Sequence, residues 1–149
     1  MTRRFMTLML SLSAGLMALV LGLSAPANAA GATKVDLLKD AFGSCSTGAA
    51  GGQPTGGFAI IHANGNDTLM AEVSLKGATP DHTYTLALVQ TPSGSDCFAA
   101  EATLTTNAAG NGNVNVQEPL RAGTTGAFVL VAPSDGLGFI ASSPLVAVG

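Results

Sequence analysis

The chain has 149 residues, two cysteines, six basic and nine acidic side chains, and a formal net charge of −3. At roughly 100–200 residues per domain, that length allows one domain, and a hydrophobic content of 47 % excludes wholesale disorder. Only 10 % of the residues are charged, against a soluble average of roughly 25 %, and 19 glycines outnumber lysine plus arginine threefold.

The first 29 residues are expected to be a signal peptide. Met1-Thr2-Arg3-Arg4 is a short positive stretch, 5–23 is almost unbroken apolar sequence, and Ala27-Asn28-Ala29 is an A-x-A cleavage site after Pro26. The apolar run approaches the roughly 20 residues that span a bilayer. Dilution by Ser11, Ser13, Gly15 and Gly22 and the small-residue site favour removal instead. No cysteine follows the run to take a lipid anchor. Thr2-Arg3-Arg4 resembles the start of a twin-arginine signal, but Met6 stands where that signal usually has Phe, so general secretion is expected. The mature part, 30–149, is then a single domain in the secreted, periplasmic or cell-envelope space. It keeps Lys34, Lys39, Lys76 and Arg121 against all nine acids, a net charge of −5. Four scattered cations cannot neutralise a run of phosphates, so neither nucleic acid nor an anionic membrane surface is an expected partner. Membrane insertion after signal cleavage is not expected either.

Along the mature chain, 33–42 is open to two readings. Thr33 with Asp36 could cap a short helix, or Val35, Leu37 and Ala41 could alternate against Asp36 and Asp40 in an edge strand. The strand is preferred, because an eight-residue helix is marginal. Cys45 follows, and with Cys97 it makes an even pair in an oxidising compartment, which predicts a disulfide. Closing a loop of about 50 residues is worth roughly 4 kcal/mol in the chain-entropy model. The Gly-rich stretch 48–57 reads as a mobile surface loop.

A strand at 57–62 stops at Asn64-Gly65-Asn66-Asp67, a strong hairpin signal. The next segment, 68–76, alternates cleanly, with Leu69, Ala71, Val73 and Leu75 on one face and Thr68, Met70, Glu72, Ser74 and Lys76 on the other. Strands at 83–91, 101–106 and 113–118 follow, the last pairing back onto its predecessor through the turn Asn107-Ala108-Ala109-Gly110. The apolar run 127–132 reads as a central strand, and 145–148 closes the chain. Leu69, Val73, Leu75, Leu86, Leu88, Val114, Val116, Phe128 and Leu130 are expected to share one core. The fold class is therefore all-β, an immunoglobulin-like antiparallel β-sandwich of about seven to eight strands.

At Leu75-Lys76-Gly77-Ala78-Thr79-Pro80-Asp81-His82-Thr83-Tyr84-Thr85-Leu86 the sequence resembles bacterial fibronectin-III and immunoglobulin-like modules. In those a Leu…Pro…Thr-x-Tyr stretch turns into a core strand and the Tyr packs at the corner. The spacing is longer here, and the usual Trp is absent. The Thr-Tyr strand and the Thr105-Thr106-Asn107-Ala108-Ala109-Gly110 turn also look like the neocarzinostatin-type secreted sandwiches, which carry two disulfides. Either resemblance covers about a third of the chain and bears on fold rather than function.

Candidate chemistry is sparse. His62 and His82 are the only histidines, and both read as ordinary solvated positions; Asp81 points away from His82 on an extended chain. No G-x-S-x-G elbow marks a serine nucleophile, and the acids are scattered singly. Two cysteines and two histidines show no metal-ligand spacing. Asn64, Asn66 and Asp67, and the cluster Asn107, Asn111 and Asn113, have too few carboxylates for tight calcium binding and read as turns. With no Trp and one Tyr, Tyr84, which is expected to be buried, there is little to stack a sugar on. Most phenylalanines read as core; Phe98 and Phe139, beside loops, are the candidate ligand or partner surface. The function expected is that of a secreted, non-catalytic interaction or envelope-associated module with no cofactor. Its partner would be a protein or a small apolar ligand. A small-ligand carrier with an apolar cleft is the alternative, and a protease inhibitor presenting 91–96 is a third.

Overall fold

The computed structural model describes residues 31–40, 42–44, 48–91, 101–135, 140–143 and 145–148. The expected signal peptide at 1–29, Cys45, Cys97, Phe98 and Phe139 lie outside the described residues. The described chain is all-β: β1 (Thr33–Lys39), β2 (Phe42–Ser44), β3 (Gly48–Ala50), β4 (Gln53–Asn64), β5 (Thr68–Leu75), β6 (Thr83–Thr91), β7 (Ala102–Thr105), β8 (Gly112–Pro119), β9 (Gly126–Pro133), β10 (Ile140–Ser143) and β11 (Val146–Ala147). β2 and β3 form a separate hairpin; the others make one antiparallel sheet in the order β7-β6-β9-β10-β1-β4-β5-β8, with β11 also on β9. The sheet folds over on itself, so that β1-β4-β5-β8 faces β7-β6-β9-β10 and the two end strands, β7 and β8, come close together.

Alternation explains the core. Val35 and Leu37, Ala59, Ile61 and Ala63, Leu69, Ala71, Val73 and Leu75, Val116, Tyr84, Leu86 and Leu88, and Ala127, Val129 and Val131 all point between the layers and are buried. Val114 packs against them half-buried. Thr68, Met70 and Ser74 are half-buried and Glu72 and Lys76 exposed on the opposite face of β5, as its alternation predicts. Phe128 and Leu130 do not join this core. They lie on the far side of β9 in a second cluster with Ala87, Val89, Ala141 and Leu145. β6 and β9 are thus buried on both faces, which is why 127–132 reads as an unbroken apolar run.

Three further expectations are corrected. The stretch 48–57 is not a loop: β3 covers 48–50, and β4 begins at Gln53, where Gln53 and Pro54 pair with Lys39 and Leu38 of β1. Its glycines serve turns and an irregularity instead, with Gly51, Gly52 and Gly56 at positive φ. β8 does not pair back onto β7; its ladder runs along β5, from Thr68↔Pro119 to Leu75↔Gly112. The Asn107–Asn111 turn therefore crosses from one layer to the other. Segment 33–39 is a strand, paired on both sides by β10 and β4, so it lies inside the sheet rather than at its edge.

Where β10 leaves β9, a side chain continues the ladder. Ile140 and Ala141 pair with Val131 and Leu130, then the buried Ser142 hydroxyl accepts the Val129 N–H at 2.8 Å, and β11 resumes at Val146↔Ala127.

Candidate binding site

The antiparallel register gives the sandwich two ends. One gathers the 77–82 and 106–111 turns, the C-terminal end of β1 and the end of β9 at Pro133. The other gathers the ends of β6 and β8 and the 120–125 turn.

At the first end lies a cleft of about 270 Å³ lined by Lys39, Asp40, Thr55, residues 77–79, His82, Tyr84, Pro133, Asp135 and Ile140. Tyr84 lies against it. Tyr84 is 4 % exposed, and its hydroxyl oxygen accepts the Thr79 N–H at 3.1 Å. The 77–82 turn is then pinned to 106–111. Ala78 N–H donates to Gly110 O at 3.0 Å, Asp81 N–H to Asn107 O at 3.2 Å, and Thr106 N–H to His82 O at 2.9 Å. The buried Thr106 hydroxyl donates to Thr79 O at 2.6 Å and accepts the His82 N–H at 3.0 Å. A Cβ at Gly110, where φ is +74°, would collide with the Ala78 carbonyl, so only glycine lets the two turns approach this closely.

Two features of this end depart from the sequence reading. His82 is not an ordinary solvated histidine. Its ring stands edge-on to Tyr84 with centroids 5.1 Å apart, and its Nε2 is buried with no hydrogen-bond partner. Lys39 and Asp40 also line the cleft together, although neighbours on an extended strand point to opposite faces. Asp40 has φ +56°, a left-handed conformation that Asp tolerates better than most residues, and it turns the chain at the end of β1.

At the second end a polar cluster closes the core. The inward rows Leu86-Leu88 and Val114-Val116 each end in a polar residue, Gln90 and Glu118. Gln90 is 1 % exposed. Its amide nitrogen donates to Glu118 Oε1 at 2.8 Å and to Pro119 O at 2.9 Å; its oxygen accepts from Arg121 N and Thr124 Oγ1, both at 2.8 Å. Arg121 reaches Glu118 Oε2 at 3.5 Å. Glu101, just before β7, accepts the Leu88 N–H at 2.6 Å where that strand stops. Its carboxyl is raised to about 7, first by burial and then by Glu118; the Leu88 N–H pulls the other way without winning. The acids are therefore not all isolated.

The outer face of the other layer is more apolar than expected. Phe58 is half-exposed there rather than core, with Lys34 Nζ 4.1 Å from its ring centroid. A shallow groove of about 150 Å³ lies beside it, bordered by Glu72, Ser74, Asn113 and Asn115. His62, also on this face, has a buried Nδ1 without a partner. The asparagine clusters act as turns: Asn64 Oδ1 accepts from Asn66 and Thr68 N–H, and Asn107 Oδ1 from Ala109 and Asn111 N–H. Thr91, at the start of the expected inhibitor loop, is buried within β6, and 92–96 lies outside the described residues. No group of three or more His, Cys, Asp or Glu placed to hold a metal occurs among the described residues.

No family model, no curated protein and no solved structure matches the chain.

Proposed function

We propose that the chain is exported, is cut after Ala29, has Cys45 bridged to Cys97, and works by binding in the secreted or envelope space. The cleft beside His82 is its contact end. The observation that supports this reading is the construction of that cleft. Two turns locked by five backbone and hydroxyl hydrogen bonds frame it, so a bound molecule would meet a surface that costs little to order. A volume of about 270 Å³ is close to the lower bound of roughly 300 Å³ for ligand pockets, which favours small-ligand carriage as the second reading. The lining makes the cargo polar rather than apolar.

Native recovery from culture medium tests the reading. The N-terminus should be Ala30, the mass should be two hydrogens light, and a molecule or partner should co-purify. Its recovery should fall in the double variant His82→Gln/Lys39→Gln. Intact Met1 protein in the membrane fraction would overturn export, and undiminished recovery with the folded double variant would overturn the cleft as contact end.

A further inference from the structure

We propose that the β2–β3 hairpin is a hinged lid on the outer face of β9 and β10, opening as one body about a crease at Asp40 and Gly51-Gly52. This holds whether or not the cleft binds anything. The register carries it. β1 and β4 end on the rungs Leu38↔Pro54 and Lys39↔Gln53, and β2 and β3 resume at Phe42↔Ala50, Gly43↔Ala49 and Ser44↔Gly48. Two residues on each strand separate the ladders, so the register passes through without a slip and the hairpin continues the β1–β4 ribbon. Yet it shares no ladder with the main sheet. The ribbon is folded over between them. The residues at the fold have left-handed backbones, with φ +56° at Asp40, +73° at Gly51 and +91° at Gly52, and all three are exposed. A change of direction confined to a few positions at element ends is how a hinge is built.

The ribbon folds onto an apolar surface. β3 lies against β10 and β9, and both of those already have a paired neighbour on each edge. Their inner face is filled by the core, so β3 rests on the outer one. There Phe128 is 2 % and Ala141 1 % exposed, in a cluster with Leu130 and Leu145. Burial of that cluster, rather than a ladder, holds the lid shut, and opening uncovers it. Straightening the ribbon asks only that the crease residues leave the left-handed region, which for Asp40 relieves a backbone cost.

Paramagnetic relaxation of alanine methyls by a soluble gadolinium chelate tests the lid. Ala141 lies under it and Ala71 between the layers, and both are 1 % exposed. Dithiothreitol is present so that the Cys45–Cys97 bridge proposed above does not fasten the hairpin's tip. Where Ala71 loses its shielding in the reduced chain, the same comparison is made without dithiothreitol. A Cβ at Gly51 meets no atom within 4 Å, so Gly51→Ala penalises only the crease. It should raise the relaxation at Ala141 about tenfold, the cost of a left-handed alanine expressed as open population, and leave Ala71 unchanged. Asp40→Gly should lower it. Gly123→Ala is the control, at φ +85° and equally open, in the turn at the opposite end; it should leave Ala141 as in the unsubstituted chain. An Ala141 methyl that Gly51→Ala leaves unchanged, or that Gly123→Ala exposes as much, would overturn the lid.

Discussion

The two ends of the sandwich hold their central buried polar side chains differently, although each keeps a buried atom without a partner, Thr91 Oγ1 at one and His82 Nε2 at the other. At the Gln90 end, one amide side chain makes four hydrogen bonds of 2.8–2.9 Å to β8 and the turn that follows it. At the His82 end, the backbone is just as firmly held, yet an imidazole nitrogen is buried without a partner. A satisfied network fixes one geometry and adds stability; an unsatisfied buried group costs free energy. The contrast separates an end where one amide side chain ties β6 to β8 from an end where backbone bonds between two turns do the holding. It also implies that losing the Gln90 side chain should cost stability, whereas losing the His82 imidazole nitrogen should not.

Gln90→Ala should show the largest effect. It leaves Pro119 O, the Arg121 N–H and one Glu118 oxygen without their partner and opens a cavity, for a loss of about 3 kcal/mol in denaturant melts. A loss under about 1 kcal/mol would mean that the cluster is decorative. Gly110→Ala comes next at about 2 kcal/mol, from a disfavoured positive φ and the collision with Ala78, and it should disturb the cleft amides while leaving those around Gln90 in place.

A smaller effect should appear with pH. Because the folded-state pKa of Glu101 is raised to about 7 from 4.5, the folded state holds the extra proton between those values. Its contribution is therefore complete below about pH 4.5 and is lost as pH rises through 7. Melts of Glu101→Gln should lack that part of the fall between pH 5 and 8, and an identical pH dependence in the two proteins would refute the assignment. The smallest change should come from His82→Phe, which keeps the ring against Tyr84 and removes the unpartnered nitrogen. Stability should be unchanged or rise by about 0.5 kcal/mol; a marked loss would mean that the imidazole has a structural partner and that the two ends are alike.

Period-two alternation and turn chemistry act locally, so the sequence by itself determined the all-β class, the strand at 68–75 with its inward face, the strand at 83–91, the Asn64–Asp67 hairpin and the burial of Tyr84. Each depends on neighbours a few residues away. Pairing partners are different, because a turn fixes that the chain reverses without fixing which layer it returns to. Thus the Asn107–Asn111 turn reads as a hairpin, yet the tertiary structure carries β8 across to β5. Likewise Phe128 and Leu130 read as core by their apolar character, and only the covering of the outer face of β9 decided which core they join. The cleft was the least legible feature. It depends on Asp40 adopting a positive φ and on Gly110 letting two distant turns meet, and neither backbone event leaves a periodic trace. Glu101 and Glu118 likewise look isolated until the closing sheet brings β7 beside β8, since a carboxyl's environment is set by what folds against it rather than by what flanks it in the chain.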